Sequence, residues 1–420
     1  MKIQYLCRDL LTLFINLESF TVMAKYNFDL CIDRHGTQCK KIEVLKQDYG
    51  RDDLLPLWIA DMDFAVCPEI TQALVHRLGD HPIYGYTCLY DDYWQSIIDW
   101  QRERNGFEFT REEITFVAGI VTGFGLAVNF FTKPGDKIVI QQPVYYPFKD
   151  VIEGNGRIAI NNALIPTEDN YARMNFEELE RIMEEEHPRM MVVCNPHNPI
   201  GIAWEPEVLR RVAHLAKKHN VIVFSDEIFG DLMLYGHKHT PMASVSDEAA
   251  EVTVTCGAPS KTFNIAGLKS SWCVVKNPEL REPFFKWIEL NEFCNANLTS
   301  IIAAEAAYRN GKQWLEECLS YMEGNIDYVE QYCREHIPGI VAIKPQAGFL
   351  VWLDCRGLGL SHDEVVDLFR NKAGLAMNEG TMFGAAGDCH MRFNMGSPRS
   401  VIEQAMHQLE EAVNKLGKKG

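Results

Sequence analysis

The sequence predicts an α/β fold with a mostly parallel sheet, and three observations carry that reading. Short apolar runs alternate with longer stretches of helical periodicity along most of the chain. Most of those runs are continuous rather than alternating, as in strands covered on both faces. The unusual polar residues fall just after the runs, at the edge where open α/β sheets bind their ligands. With 420 residues, 47% hydrophobic and 24% charged, the chain fits two or three folded domains and not a disordered polymer.

The elements follow in order. The first 22 residues read as an extension with no structural role. Their longest apolar stretch, Leu10 to Ile15, is bounded by Asp9 and Asn16, too short for a membrane span and too interrupted for a signal peptide. Met23-Ala24-Lys25 reads as a second start. A helix is expected from Pro68, with Ile70, Leu74 and Leu78 on one face and Gly79 as its cap. The aromatic stretch 80–93 reads as a loop, and 121–131, apolar nearly all round, as a buried helix. Strands are expected at 137–141, 190–194, 221–225, 252–256 and 272–276, with a helix over 205–219. From about Gly311 long amphipathic helices take over, broken by a hairpin-like insert over 340–353. The expected division is a large domain over 71–310 and a small one combining 23–70 with 311–420.

Charge and cysteine content narrow the function. Lys and Arg number 41 against 58 Asp and Glu, a net charge of −17, which repels phosphate backbones and argues against a nucleic-acid partner. None of the 13 cysteines forms a C-x-x-C pair, so no zinc ribbon, no thioredoxin motif and no metal site is expected. The cysteines that end apolar runs, such as Cys194 and Cys256, read as small buried hydrophobes in a reducing, cytoplasmic setting. No membrane association is expected.

Four polar clusters trail the expected strands. They are Pro143-Val144-Tyr145-Tyr146-Pro147, Asn195-Pro196-His197-Asn198-Pro199-Ile200-Gly201, Asp226-Glu227 and Gly257-Ala258-Pro259-Ser260-Lys261. Lys261 sits in an apolar setting, which disfavours its ammonium and makes the amine nucleophilic toward an aldehyde. Asp226 is suited to keeping a heteroaromatic nitrogen protonated, and Tyr145 to stacking on a flat ring. The turn Gly119-Ile120-Val121-Thr122-Gly123 opens a helix and can offer N–H groups to a phosphate. Each feature alone has an ordinary reading: a solvated lysine, a helix cap, a packed tyrosine, a turn. Lysine, acid, aromatic plate and phosphate cradle on one sheet edge together describe a pyridoxal 5'-phosphate site.

The motifs also carry a resemblance. They are Asp33-Arg34-His35-Gly36-Thr37, Asp61-Met62-Asp63-Phe64, Tyr84-Gly85-Tyr86, Asn195-Pro196-His197-Asn198-Pro199, Ser225-Asp226-Glu227-Ile228, Ser260-Lys261-Thr262-Phe263-Asn264 and Arg392-Phe393-Asn394. From about Tyr26 onward the chain resembles the fold-type I pyridoxal-phosphate enzymes of the aminotransferase class I/II superfamily. Within it the chain is most similar to the cystathionine β-lyase-like C–S lyases of the MalY/PatB type. The resemblance implies a large domain with a mixed, mostly parallel sheet of about seven strands, a smaller α+β domain and a homodimer with shared sites. It implies that Lys261 carries the cofactor, Asp226 partners the ring nitrogen, Asn198 bonds the ring hydroxyl and Tyr145 stacks on the ring. Val121, Thr122 and Ser260 would hold the phosphate, and Tyr86 would reach the phosphate of the other subunit. Arg392 would clamp the substrate carboxylate. Phe229 stands where aminotransferases usually have Tyr, Lys269 where an Arg often binds the phosphate, and Ala60 where many relatives place Gly near the substrate carboxylate. The implied reaction is β-elimination of cysteine S-conjugates such as cystathionine to a thiol, pyruvate and ammonia, with transamination as the alternative within the superfamily. A regulatory protein without catalysis is the alternative of another class.

Overall fold

In the computed structural model, residues 25–168 and 171–416 are described; the expected extension over residues 1–22 lies outside them. In chain order the strands that organise the fold are β1 (Leu55–Pro56), β2 (Ile114–Val117), β3 (Lys137–Ile140), β4 (Ile158–Asn161), β5 (Met190–Cys194), β6 (Ile222–Asp226) and β7 (Thr253–Gly257). They continue with β8 (Ser271–Val274), β9 (Val341–Ile343), β10 (Leu350–Asp354), β11 (Leu375–Ala376), β12 (Asn378–Glu379) and β13 (His390–Asn394). Seven of them form one sheet in the order β2-β8-β7-β6-β5-β3-β4. β8 runs antiparallel to both of its neighbours, and the pairs β7–β6, β6–β5, β5–β3 and β3–β4 are parallel. The carboxyl ends of β2, β3, β5, β6 and β7 therefore share one edge.

The continuous apolar runs are explained by burial on both faces. In β5, Met190, Val192 and Cys194 join Phe224, Val254 and Cys256 in one core. Met191 and Val193 join Val223, Leu209 and Val212 in the other. A helix over Pro206–Lys218 supplies Leu209, Val212, Ala213 and Ala216 to that second core, as its 3.6-residue spacing requires.

The expected elements hold with small shifts. The strands expected at 137–141, 221–225, 252–256 and 272–276 move by one or two residues at their ends, so Asp226 is the last residue of β6 rather than the first after it. The helix from Pro68 runs to Asp80, past Gly79. Asp91 to Tyr93, expected in the loop, open the next helix, Asp91–Asn105, which buries Tyr93, Trp94 and Trp100. Edge strands β2 and β4 were not among the expected strands, and Ile158 of β4 is exposed. The insert over 340–353 is a hairpin of β9 and β10, extended by β13 and β12 into a four-stranded antiparallel sheet. The N-terminal segment reaches this region through the parallel pair β1–β11, with Leu55 opposite Leu375.

Gly201 locks the hairpin onto the β5 edge. It has φ +77, and its N–H and carbonyl both take part in backbone bonds, to His197 and from Gln346. An added Cβ would lie 2.3 Å from Pro345 Cβ. Gly201→Ala combines a left-handed backbone with a clash against another backbone segment, together worth about 3 kcal/mol. It should lower the urea midpoint of unfolding accordingly; an unchanged midpoint would show that the Pro345 turn moves aside without cost.

Candidate active site

The strand ends converge on a cavity of about 340 Å³. Lys261, Asp226, Asn198, Tyr145, Val121, Ser260, Ala60 and Arg392 all line it. Residues from β5, from β6 and from the turn after β7 meet residues from the N-terminal segment and from β13, which are far apart in sequence. Three of the expected site residues fall outside the lining. Thr122 is exposed on the same helical turn as Val121. Lys269 is exposed beyond the Ala266–Leu268 turn, with φ +50. Tyr86 is fully exposed in the loop over 81–90, beside exposed Ile83 and Tyr84.

Lys261 sits on a short helix, Pro259–Thr262, that begins just after β7. Its Nζ donates to the carbonyl of Ala60. Burial pushes its ammonium down to about 8, while the charges of Asp61 and Asp226 partly offset that effect. Asp226 is buried at the end of β6, and the Ile228 N–H donates to its Oδ1 at 3.0 Å. Burial raises its carboxyl to about 7. Both groups are thus poised near neutrality because neither has a full counter-charge. Arg392, buried on β13, donates to Asn378 Oδ1 at 2.7 Å, to the Trp58 carbonyl at 3.1 Å and to Asn198 Oδ1 at 3.2 Å. Burial lowers it to about 10, and its Nε has no partner among the described residues. No carboxylate neutralises it there, so an incoming carboxylate is the group it lacks.

The aromatic wall is held from behind by a residue the sequence left unassigned. His197 is buried, and its Nε2 lies 2.8 Å from the Pro143 carbonyl. Burial lowers its ring to about 4, so it is neutral and donates N–H to that carbonyl. The bond ties the loop bearing Asn198 to the one bearing Tyr145. Phe229 lines the same cavity and presents no donor.

Two of the motifs, Asp33-Arg34-His35-Gly36-Thr37 and Asp61-Met62-Asp63-Phe64, build a charge cluster. Arg34 bonds Asp61 at 2.8 Å and Asp63 at 2.6 Å. Lys41, buried, bonds Asp63 at 2.8 Å, and the Ser397 hydroxyl donates to the same carboxylate at 2.7 Å. These contacts hold Asp63 below the usual carboxylate range despite its burial. The cluster fixes the segment from Trp58 to Phe64, whose carbonyls accept from side chains instead of a strand partner. Asn394 donates to Ile59 and Asp61, and Asn264 to Met62 and Phe64. Sequence reasoning had the motifs but not the lining residues Trp58 and Asn378, which carry no local signal.

The donor set fits pyridoxal 5'-phosphate. An amine near its neutral form, a buried carboxyl that needs a cation, and a flat phenol ring face one space. The helix Ile120–Phe131 opens at its rim behind Gly119, whose φ is +127, and its first N–H groups have no intrahelical acceptor.

Comparison with known proteins agrees. A family model described as aminotransferase class I and II matches residues 52–409. The chain is 40% identical to cystathionine β-lyase PatB of Bacillus subtilis, over 92% of this chain and all of that one. Among solved structures, cystalysin from Treponema denticola, which contains a pyridoxal 5'-phosphate cofactor, superposes with a TM-score of 0.89 at 31% identity, covering 93% of this chain and 99% of that one. The pyridoxal-phosphate-bound C–S lyase of Staphylococcus hominis gives 0.84 at 29% identity, with the same coverage. On its sequence, its fold and the residues gathered at its sheet edge, the chain belongs to the aminotransferase class I and II family.

Proposed function

We propose that the protein is a pyridoxal-phosphate-dependent C–S β-lyase that converts cysteine S-conjugates such as L-cystathionine to a thiol, pyruvate and ammonia. The observation that carries the proposal is the single cavity shared by Lys261, Asp226 and Arg392, together with 40% identity to a cystathionine β-lyase over nearly the whole chain. Bound pyridoxal 5'-phosphate supplies a carbonyl that condenses with amines and a protonated ring that draws electrons from the substrate α-carbon. Lys261 holds the cofactor; with its pKa near 8, its amine is available as a base for the Cα proton. Asp226 as carboxylate keeps the ring nitrogen protonated, and Tyr145 covers the ring. Asn198 bonds the ring hydroxyl. The amides of Val121 and Thr122 and the Ser260 hydroxyl take the phosphate, with Lys269 adding charge from outside the lining.

Arg392 binds the substrate α-carboxylate beside Ala60 and orients the Cα–H bond. When the Cα proton passes to Lys261 Nζ, the C–H electron pair forms the Cα=Cβ bond as the Cβ–S bond breaks, and the departing thiolate takes that proton from Lys261 to leave as the thiol. A thiol with a pKa of about 8.5 leaves far more readily than an alcohol. The released enamine takes up water to give pyruvate and ammonia. Supplied with L-cystathionine and no keto acid, the protein should form pyruvate over many turnovers. A stall after one turnover, relieved only by adding a keto acid, would instead identify an aminotransferase.

Asp226 links activity to stability. Its folded pKa of about 7 lies above the unfolded value of about 3.9. The favourable contribution is present at low pH and is lost as pH rises through 7, because the unfolded chain ionises first. Asn cannot ionise. Cofactor-free Asp226→Asn protein should therefore melt above cofactor-free wild type at pH 8 by calorimetry, and the gap should close toward pH 4. The loaded variant should lose roughly 10²-fold or more in turnover, because no charge holds the ring nitrogen protonated. Equal melting at pH 8 would mean that the carboxylate finds a counter-charge in the fold.

The domain division at 71–310, with 23–70 and 311–420 together, is supported by the β1–β11 pair. A cytoplasmic location is supported by the buried free thiols, such as Cys194, Cys256 and Cys318. No helix among the described residues is long and apolar enough to cross a membrane. A homodimer with shared sites is supported by the exposed loop that carries Tyr86, whose hydroxyl would reach the partner's cofactor phosphate. Mixing Tyr86→Phe and Lys261→Ala subunits tests this. A hybrid places both defects in one site and none in the other, so activity should reappear. Verified hybrids that stay inactive would show that Tyr86 acts within its own subunit.

A further inference from the structure

The cavity has a fourth charged lining residue that no role above uses. Lys40 lines the same space as Lys261 and Arg392. It opens the short helix Lys40–Glu43 and is exposed there. Among the described residues no ion pair or hydrogen bond takes its ammonium. The acid on its own helix, Glu43, accepts from the Gly36 N–H at 2.8 Å.

The root of this side chain is fixed although its tip is free. The next residue, Lys41, is buried and bonds Asp63 at 2.8 Å. The Lys41 carbonyl accepts the Trp58 indole N–H at 2.9 Å. Trp58 also lines the cavity, and its own carbonyl accepts from Arg392 at 3.1 Å. Lys40 is thus one residue away from a backbone held directly to the wall of the site.

The charges in the lining limit what the ligand can be. Among the described residues, Lys40, Lys261 and Arg392 are its cations and Asp226 is its only carboxylate. Under the proposed lyase reading, on which this inference rests, Lys261 and Asp226 serve the cofactor and Arg392 the α-carboxylate. The rest of the wall is largely apolar, with Ile59, Tyr146 and Phe229, and the Asn378 amide oxygen is taken by Arg392. The group attached to the substrate sulfur therefore meets apolar surface and one unpaired cation. We infer that Lys40 is a specificity residue that selects cysteine S-conjugates whose thiol half ends in a carboxylate. No lining acid is left to receive a distal ammonium, so a plain carboxyalkyl group suits the site better than an amino-acid end.

Two conjugates of equal heavy-atom count test this: S-(2-carboxyethyl)-L-cysteine and its amide, S-(2-carbamoylethyl)-L-cysteine. The holoenzyme should favour the acid by about 5- to 10-fold in kcat/KM, the size of a partly exposed charge-assisted bond. The preference should reside in KM and should shrink in 0.5 M NaCl. Lys40→Met should bring the acid-to-amide ratio to about 1, Lys40→Glu should take it below 1, and Lys40→Arg should keep it above 1. The ratio is read within one preparation, so cofactor loading and folding cancel. An unselective wild type, or a preference that survives Lys40→Met, overturns the role of Lys40 while pyruvate formation keeps the lyase reading. Absence of pyruvate from both conjugates and from cystathionine would defeat the lyase reading and this inference with it.

Discussion

The site depends on the segment from Trp58 to Phe64, a stretch of backbone whose carbonyls are bonded by side chains instead of a neighbouring strand. Arg392 and Asn394 from β13, Asn264 and Lys261 from the turn after β7, and Lys41 from the first helix all donate to it. Buried carbonyls without donors are costly, so this segment adopts its shape only when those elements are all in place. The two charged motifs serve that end. Asp61 and Asp63 take Arg34 and Lys41, and leaving one of those charges unpaired in a half-buried cluster is strongly unfavourable. One network thus joins the N-terminal segment, the lysine turn and the arginine strand.

That rigidity supports a cavity that is electrostatically uncomfortable on its own. Desolvation raises Asp226 and lowers both Lys261 and Arg392. Pairing the three directly would relieve the strain and close the site. Instead Arg392 is held by neutral acceptors, Asn378, Asn198 and the Trp58 carbonyl, and Lys261 by the Ala60 carbonyl. Neutral partners orient a charge without neutralising it, and each group remains open to a charged ligand.

Much of this was legible in the sequence, for physical reasons that differ by element. β5 was readable because a strand covered on both faces needs an unbroken apolar run, and Met190–Cys194 supplies one. Lys261, Asp226 and Asn198 were readable because they follow such runs directly. Arg392 was found through its flanking motif, since a single arginine on β13 has no local signal. Lys40, Trp58 and Asn378 were missed because they reach the cavity only through pairings between distant segments, such as β12 with β13. The Asp-Arg-His-Gly-Thr and Asp-Met-Asp-Phe motifs were seen, yet their charges, 27 and 29 residues apart, meet only when the two segments fold together. Lys269 lies outside the lining, exposed just after the Ala266–Leu268 turn.

Family membership leaves the choice between elimination and transamination to what happens after the Cα proton is removed. Lys261 and Asp226 serve both outcomes and cannot separate them. The substrate decides part of it, since elimination needs a leaving group at Cβ and a thiolate is a far weaker base than an alkoxide. A thiol half that ends in a carboxylate, held at a fixed cation on the cavity wall, would keep the departing sulfur in one orientation relative to Cα. Elimination needs the Cβ–S bond aligned with the electron pair left by the proton. In that geometry Arg392 and Lys40 act as two anchors on either side of the breaking bond, and substrate selection and reaction choice become consequences of the same two cations.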